Sequence, residues 1–234
     1  MEDIYNRTEI ILGKENVDIL KNKHVMICGI GGVGSYTLEA LARIGVGKIT
    51  IIDKDVIDIT NINRQLLALR STIGIDKVEV AKQRVFDIND KIVVDALKVD
   101  ITRNNITELI LNKNIDYVVD CVDNVEAKIA IIEICNKNNI KCISCMGTAN
   151  KINPLDLKIA DIYKTNTCPL AKIVRKKLKE LNIKKQKVLF STELPKKTIN
   201  VSSNNNTALG SVSFVPSCAG LILASEVIKD LLDI

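Results

Sequence analysis

The segment Cys28-Gly29-Ile30-Gly31-Gly32-Val33-Gly34-Ser35 sits between an apolar run, His24 to Cys28, and a helix-patterned run, Tyr36 to Ile44. Strand, glycine turn and helix in that order put backbone N–H groups and a helix N-terminus at one point, where they hold the phosphates of a nucleotide. The glycines have separable tasks. Gly29 permits the tight turn, Gly31 lets phosphates approach the backbone, and Gly34 lets helix and strand pack closely. By itself the motif does not distinguish NAD, FAD or ATP. The next apolar run, Lys48 to Ile52, ends in Asp53, about 20 residues beyond the loop, where an acidic side chain binds a ribose hydroxyl.

Beyond the loop the pattern alternates. Strands are predicted over Lys48–Ile52, Ile92–Leu97, Tyr117–Cys121 and Lys141–Cys145, and helices over Lys77–Asp87, Asn104–Leu111 and Glu126–Asn136. Continuously apolar strands alternating with helices mean an α/β fold, a Rossmann-like and mostly parallel sheet covered by helices on both faces. After Met146 the rhythm changes to the Lys151–Ile159 run, a strand over Val188–Ser191, a polar patch at Ser202–Asn206 read as a mobile loop, and a closing run over Leu221–Leu232. We expect one domain over 1–234, with a nucleotide-binding core over 1–146 and a partly antiparallel C-terminal extension over 147–234 that ends in a helix.

Composition narrows the class. No apolar run reaches the roughly 18 residues of a membrane span, and Met1 to Thr8 is polar and mixed in charge, so a cytoplasmic protein without a signal peptide is expected. The 7 cysteines are odd in number and scattered, which argues against a disulfide framework. Cys168 and Cys218 are the candidates for exposed thiols, and His24, the only histidine, reads as structural. With 3 Phe, 4 Tyr and no Trp, aromatic platforms for stacking bases are scarce. The net charge of +5 is concentrated in one segment: Lys172, Arg175, Lys176, Lys177, Lys179, Lys184, Lys185 and Lys187 face a single acid, Glu180. Leu170, Ile173, Val174, Leu178 and Leu181 recur there at helical spacing, so an amphipathic helix with a basic outer face is predicted at about 169–182. Such a face is a solvated surface, a phosphate-backbone contact or, less readily without interfacial aromatics, a membrane contact.

Three further clusters carry chemistry. Asp53-Lys54-Asp55 is followed by Asn61-Ile62-Asn63-Arg64-Gln65, where Arg64 supplies planar donors for phosphate oxygens and Asn61 and Gln65 orient the rest. A dehydrogenase has no need of such a set beyond its ribose-binding acid. Lys77 opens a helix from which its ammonium can add to the field on a transferring phosphorus. Asp120-Cys121-Val122-Asp123-Asn124 ends a strand at the edge where parallel sheets place ligands. Asp123 there either holds Mg²⁺ against nucleotide phosphates or caps a helix.

Together these residues resemble the ThiF/MoeB superfamily, the adenylating fold shared with ubiquitin-activating enzymes. The likeness runs through Tyr5-Asn6-Arg7 with Ile10-Ile11-Leu12, Gly29 to Ser35, Ile51 to Asp55, Asn61 to Gln65, Lys77, and Asp120 to Asn124. It implies that Gly29, Gly31, Gly32 and Gly34 frame an ATP site to which Asp55 and Gln65 also belong, and that Asp53 binds ribose. Asn61, Arg64 and Lys77 then engage phosphates, Asp123 binds Mg²⁺, and Arg7 is reached across a homodimer interface. The reaction implied is attack of a carboxylate on the α-phosphate, giving an acyl-adenylate and pyrophosphate.

In the second half, Cys168 to Lys179, Val188 to Pro195 and Gly210 to Gly220 resemble the branch of tRNA threonylcarbamoyladenosine dehydratases, apart from Cys168, where that branch commonly has Asp. That resemblance implies tRNA as partner, adenylation of the threonyl carboxylate on a modified adenosine beside the anticodon, and ring closure by the ureido group with loss of AMP. The other reading is adenylation of a sulfur-carrier protein ending in Gly-Gly, with a sulfur-transfer protein as a further partner. Such activators usually hold zinc with two Cys-x-x-Cys pairs, whereas this chain has one, Cys142 to Cys145, in a strand whose faces alternate.

Overall fold

The computed structural model describes residues 4–197 and 209–234. Its frame is a sheet of seven strands: β1 (His24–Cys28), β2 (Lys48–Ile52), β3 (Val93–Leu97), β4 (Tyr117–Asp120), β5 (Lys141–Cys145), β6 (Leu157–Asp161) and β7 (Lys187–Ser191). Their order is β3-β2-β1-β4-β5-β7-β6, and every neighbouring pair is parallel except β6 with β7. The chain winds outward from β1 to β2 and β3, then returns to the other side of β1 as β4 and β5. Loops leaving β1 and β4 therefore diverge at the C-terminal ends of adjacent strands, the crevice in which open parallel sheets take ligands.

Among the described residues there are eight α-helices: α1 (Asn6–Leu12), α2 (Lys14–Lys21), α3 (Gly34–Ile44), α4 (Lys77–Ile88), α5 (Ile106–Leu111), α6 (Val125–Lys137), α7 (Pro169–Glu180) and α8 (Phe214–Leu232). Alternation along β1 sorts the layers. Val25 and Ile27 pack with Leu38 and Leu41 of α3, Val78 and Val85 of α4, and Leu223 and Val227 of α8. Met26 and Cys28 point the other way, toward Ile106 and Ile110 of α5 and Ala127 and Ile131 of α6. Both faces are buried, which is why these strands read as unbroken apolar runs rather than as alternating ones.

The C-terminal extension is partly antiparallel and belongs to the same sheet. β7 inserts beside β5 and continues the same sheet, with β6 as its antiparallel edge. The closing helix begins at Phe214, seven residues before the expected Leu221. Pro216 and Gly220 obscured that start: proline is tolerated in a helix's first turn, and Gly220 marks a close crossing. A Cβ at Gly220 would stand 2.4 Å from the Val33 carbonyl oxygen, and Thr37 Oγ1 donates to the Gly220 carbonyl at 3.1 Å. α1 and α2 lie in a stretch for which periodicity predicted no helix; α1 buries none of its own side chains and so shows no core-facing pattern. The Ser202–Asn206 patch falls outside the described residues.

The basic segment forms α7, but its buried face is Ala171, Val174 and Leu178. Ile173 and Leu181, expected on that face, are exposed. Two of its cations turn inward. Arg175 Nη1 donates to the carbonyl and hydroxyl of Thr165, at 2.9 and 2.7 Å, and Lys187 on β7 sits between Glu226 and Asp230 of α8. Lys172, Lys176, Lys177, Lys179, Lys184 and Lys185 remain on the outer surface.

Candidate active site

The loops after β1, β2, β4 and β5 surround a cavity of about 890 Å³, toward the upper end of the roughly 300–1,000 Å³ usual for ligand sites. Its floor is the glycine loop. Gly29 has φ +84°, and a Cβ there would come within 3.0 Å of the Cys121 carbonyl, so the turn is open only to glycine. At Gly34, where α3 starts, a Cβ would lie 1.9 Å from the Gly29 carbonyl oxygen. Gly31 is different: a Cβ there would meet only Gln65 Nε2, at 3.7 Å. That free space belongs to the cavity, as the assignment of phosphate approach to Gly31 requires.

Asp53, at the end of β2, is locked by its own loops. One carboxylate oxygen accepts from the Ile30 N–H and the other from the Asp55 N–H, both at 2.9 Å. Lys77 Nζ lies 2.8 Å from Asp55 Oδ2 and 3.7 Å from Asp53 Oδ1, with its side chain 5% exposed. A lysine opening a helix would ordinarily be solvated; here the first turn of α4 is drawn against the loop after β2 by the Lys77 N–H to Asp55 carbonyl bond, at 3.1 Å. The result is a fixed cation between two carboxylates at the cavity wall. Asn61 closes a capping box with Asp58, its Oδ1 accepting from the Asp58 N–H at 3.1 Å, and Arg64 Nη1 donates to the Thr60 carbonyl and to Asn63 Oδ1 at 3.0 and 2.9 Å. These bonds leave the Asn61 amide donors and the other guanidinium nitrogens of Arg64 for a ligand. Gln65 is 8% exposed and its buried Oε1 has no hydrogen-bond partner among the described residues.

On the opposite wall the two acids of the Asp120–Asn124 segment divide their tasks. Asp120 is fully buried, 2.7 Å from the equally buried Lys128 of α6, which also donates to the Cys145 carbonyl at 2.9 Å. Asn124 Oδ1 caps α6 through the Ala127 N–H at 3.0 Å. The cap is thus Asn124, and Asp123 stays exposed on the cavity rim. Lys128 was missed in the sequence; a lysine within the apolar run Ala127 to Ile132 was its only signal.

The cavity continues past the loop after β4 to an end formed by Met146 to Lys151, Cys168-Pro169-Leu170 at the start of α7, Pro195, Leu209 and Ser211. Sequence reasoning named no binding residue at this end except to question Cys168.

A model of the ThiF family matches residues 5–234. The chain belongs to the ThiF family. It is 45% identical to the tRNA threonylcarbamoyladenosine dehydratase of Bacillus subtilis over 240 residues, covering 97% of this chain and 94% of that protein. Its fold matches crystal structures of Escherichia coli tRNA N6-threonylcarbamoyladenosine dehydratase in complex with ATP, at TM-score 0.91 and 30% identity over 98% of this chain and 93% of that one. The AMP complex matches with TM-score 0.90 at 30% identity, over 97% and 93% of the two chains.

One expectation for this ThiF-family chain needs restating. Cys168 is not an exposed thiol: it is 4% exposed, beneath Gly147. Burial also pushes the Cys28, Cys121 and Cys142 thiols well up, with a Cys135 hydrogen bond acting first at Cys142, and raises Cys145 to about 12. Cys142 and Cys145 lie on opposite faces of β5, one packed toward Met26 and the other toward Ile27. Arg7 does not line its own chain's cavity. Tyr5, two residues before it, packs on Gly45 at the far end of α3 and bonds to Asn89 at the far end of α4, so Arg7 lies about a helix length from the glycine loop.

Proposed function

We propose that this chain is an ATP-dependent tRNA threonylcarbamoyladenosine dehydratase of the cytoplasm. It transfers AMP from ATP to the threonyl carboxylate of the modified adenosine beside the anticodon, releasing pyrophosphate. An atom of the adjacent ureido group then closes a ring on the activated carbonyl and expels AMP, for a net loss of water. The observation that carries this reading is a single cavity whose phosphate end, built from the glycine loop, Arg64, Lys77 and Asp123, opens directly into a second end suited to a carboxylate-bearing acceptor.

Asp53 holds the ribose, assisted by Asp55, and is fixed for that task by the Ile30 amide. Gly29, Gly31, Gly32 and Gly34 shape the phosphate bed, with Gln65 beside it. Asn61, Arg64 and Lys77 carry the negative charge that builds on the α-phosphate and leaving pyrophosphate. Asp123 suits Mg²⁺: its carboxylate is exposed on the cavity rim, and Mg²⁺ is commonly held by one carboxylate together with substrate phosphates and water. Bound there, the ion neutralises phosphate charge. No protein nucleophile is required, because carboxylate and ureido group belong to one substrate and meet at high effective concentration. Protonated thiols around the cavity agree with that.

Arg7 joins the site from a second copy in a homodimer; α1 presents it beside Ile10 and Ile11, which are 81% and 84% exposed. The outer lysines of α7 grip tRNA phosphates, which makes binding salt-dependent.

The test is AMP and pyrophosphate release with Mg²⁺ and tRNA carrying or lacking the threonylcarbamoyl group, followed by nucleoside mass. AMP release that depends on the modified tRNA, with a nucleoside lighter by one water, is the expected result. AMP formed only with a Gly-Gly-ended carrier protein would replace this reading by sulfur-carrier activation, with its sulfur-transfer partner.

A further inference from the structure

Lys151, in the loop after β5, is 3% exposed and lines the second end of the cavity. Its ammonium has three donors, and the hydrogen bond found for it runs to the Glu193 backbone carbonyl at 3.3 Å. The Glu193 carboxylate is turned away to the Ile152 and Asn153 N–H groups, at 2.9 to 3.2 Å. Among the described residues no carboxylate lies within ion-pair distance of Lys151, whereas the other buried lysines, Lys77 and Lys128, each have one at 2.8 Å or less. An ammonium withdrawn from water without a counter-charge is costly, and a fold tolerates it where an anion arrives from outside.

The loop is held in place for that purpose. Asn150 adopts φ 59°, exchanges bonds with Gly210 through its N–H and Oδ1, at 2.8 and 2.7 Å, and accepts the Lys196 N–H at 2.7 Å. At the same end, the first turn of α7 directs its partial positive charge at the cavity wall. Its N-cap, Cys168, makes no side-chain cap bond, and its first turn holds no acidic residue. β5 lies two strands from β1, roughly 10 Å in the sheet, so Lys151, in the loop after β5, lines the same cavity as the glycine loop without belonging to the phosphate bed.

We infer that Lys151 binds the carboxylate of the acceptor substrate and aims it at the α-phosphate. The inference rests on the dehydratase reading above and assigns its substrate carboxylate a residue. Lys151 is a binding residue here; proton transfer is not asked of it.

The experiment is equilibrium binding of tRNA with and without the threonylcarbamoyl group, in the presence of a non-hydrolysable ATP analogue, to the full chain and to Lys151→Gln and Lys151→Arg. The expected result is that Lys151→Gln loses roughly 10-fold or more in affinity for the modified tRNA, as for a lost charge-assisted bond. Unmodified tRNA and the ATP analogue bind it as before, and Lys151→Arg recovers most of the loss. Equal weakening of both tRNAs would mean that the ammonium meets a backbone phosphate, and weakened ATP-analogue binding that it meets the nucleotide; either overturns the inference, as does no effect. A wild-type protein that does not distinguish the two tRNAs overturns the dehydratase reading itself and this inference with it. A second measurement stands apart from tRNA. Lys151→Met in the free protein should melt higher by about 2–4 °C or more, because an unpaired buried charge is gone, and a lower melting temperature would show the ammonium to be structurally paired.

Discussion

The two ends of the cavity are built on opposite plans. At the nucleotide end nearly every charged group already has a partner: Asp53 accepts two backbone amides, Lys77 lies between Asp53 and Asp55, and Asp120 is neutralised by Lys128. At the acceptor end a buried ammonium bonds one backbone carbonyl, and the start of α7 has no side-chain cap. The first is preorganised, so that triphosphate enters a field that needs no rearrangement. The second holds its unbalanced positive charge for a ligand, and an anionic acceptor is selected by what that end lacks.

The sharpest break in this contrast is at Asp123, which stands on the rim with no ion pair among the described residues. Asp123→Ala should lower AMP formation by roughly 10²–10³-fold, as losing one preorganised electrostatic group does, and leave the melting temperature unchanged. A variant with full rate would remove Asp123 from the mechanism. Lys128→Met has the opposite profile. It strands the fully buried Asp120 carboxylate and should destabilise the protein by about 3–5 kcal/mol in urea titration. Adding Asp120→Leu should return most of that loss, and a double variant no more stable than the single would show that the pair is not the reason.

Smaller effects sharpen the comparison. Arg64→Lys keeps a charge but loses the planar fork, so KM for ATP should rise roughly 10-fold while affinity for modified tRNA is unchanged; parallel losses in both would merge the two ends into one site. The smallest effect lies away from the cavity. His24 is held below its ordinary range first by burial and then by Lys48, against backbone bonds that favour the proton. Its Nε2 and Nδ1 contact Thr50 Oγ1 and the Lys113 carbonyl at 2.8 and 2.9 Å. Its folded value is depressed, so its contribution is full above about 6.5 and is lost as pH falls toward the folded value. Thermal melts should therefore decline across that window in the wild type and less steeply in His24→Asn.

Where the sequence was legible, the reason is local. Gly29, Gly34, Asp53 and the strand His24–Cys28 act through neighbours a few residues away or one strand over, so spacing alone located them. The boundaries of α3 and α8 shifted because Gly34, Pro216 and Gly220 read as breakers, yet each serves a helix start or a crossing. Cys168 read as exposed because nothing in its neighbourhood announces that the loop after β5 will cover it.

The sequence by itself determined the parallel sheet, the strand edge at which the cavity opens and the glycine loop on its floor, because those follow from backbone sterics at glycines and from unbroken apolar strands. Only the tertiary structure decided which charges are spent and which are free. Asp120 and Asp123 are three residues apart and alike in composition, but one meets Lys128 in the core and the other meets the cavity. Lys128 and Lys151 are both buried lysines, and among the described residues only the first has a carboxylate within ion-pair distance. Pairing of buried charge depends on segments that meet across the fold, and no spacing along the chain encodes that meeting.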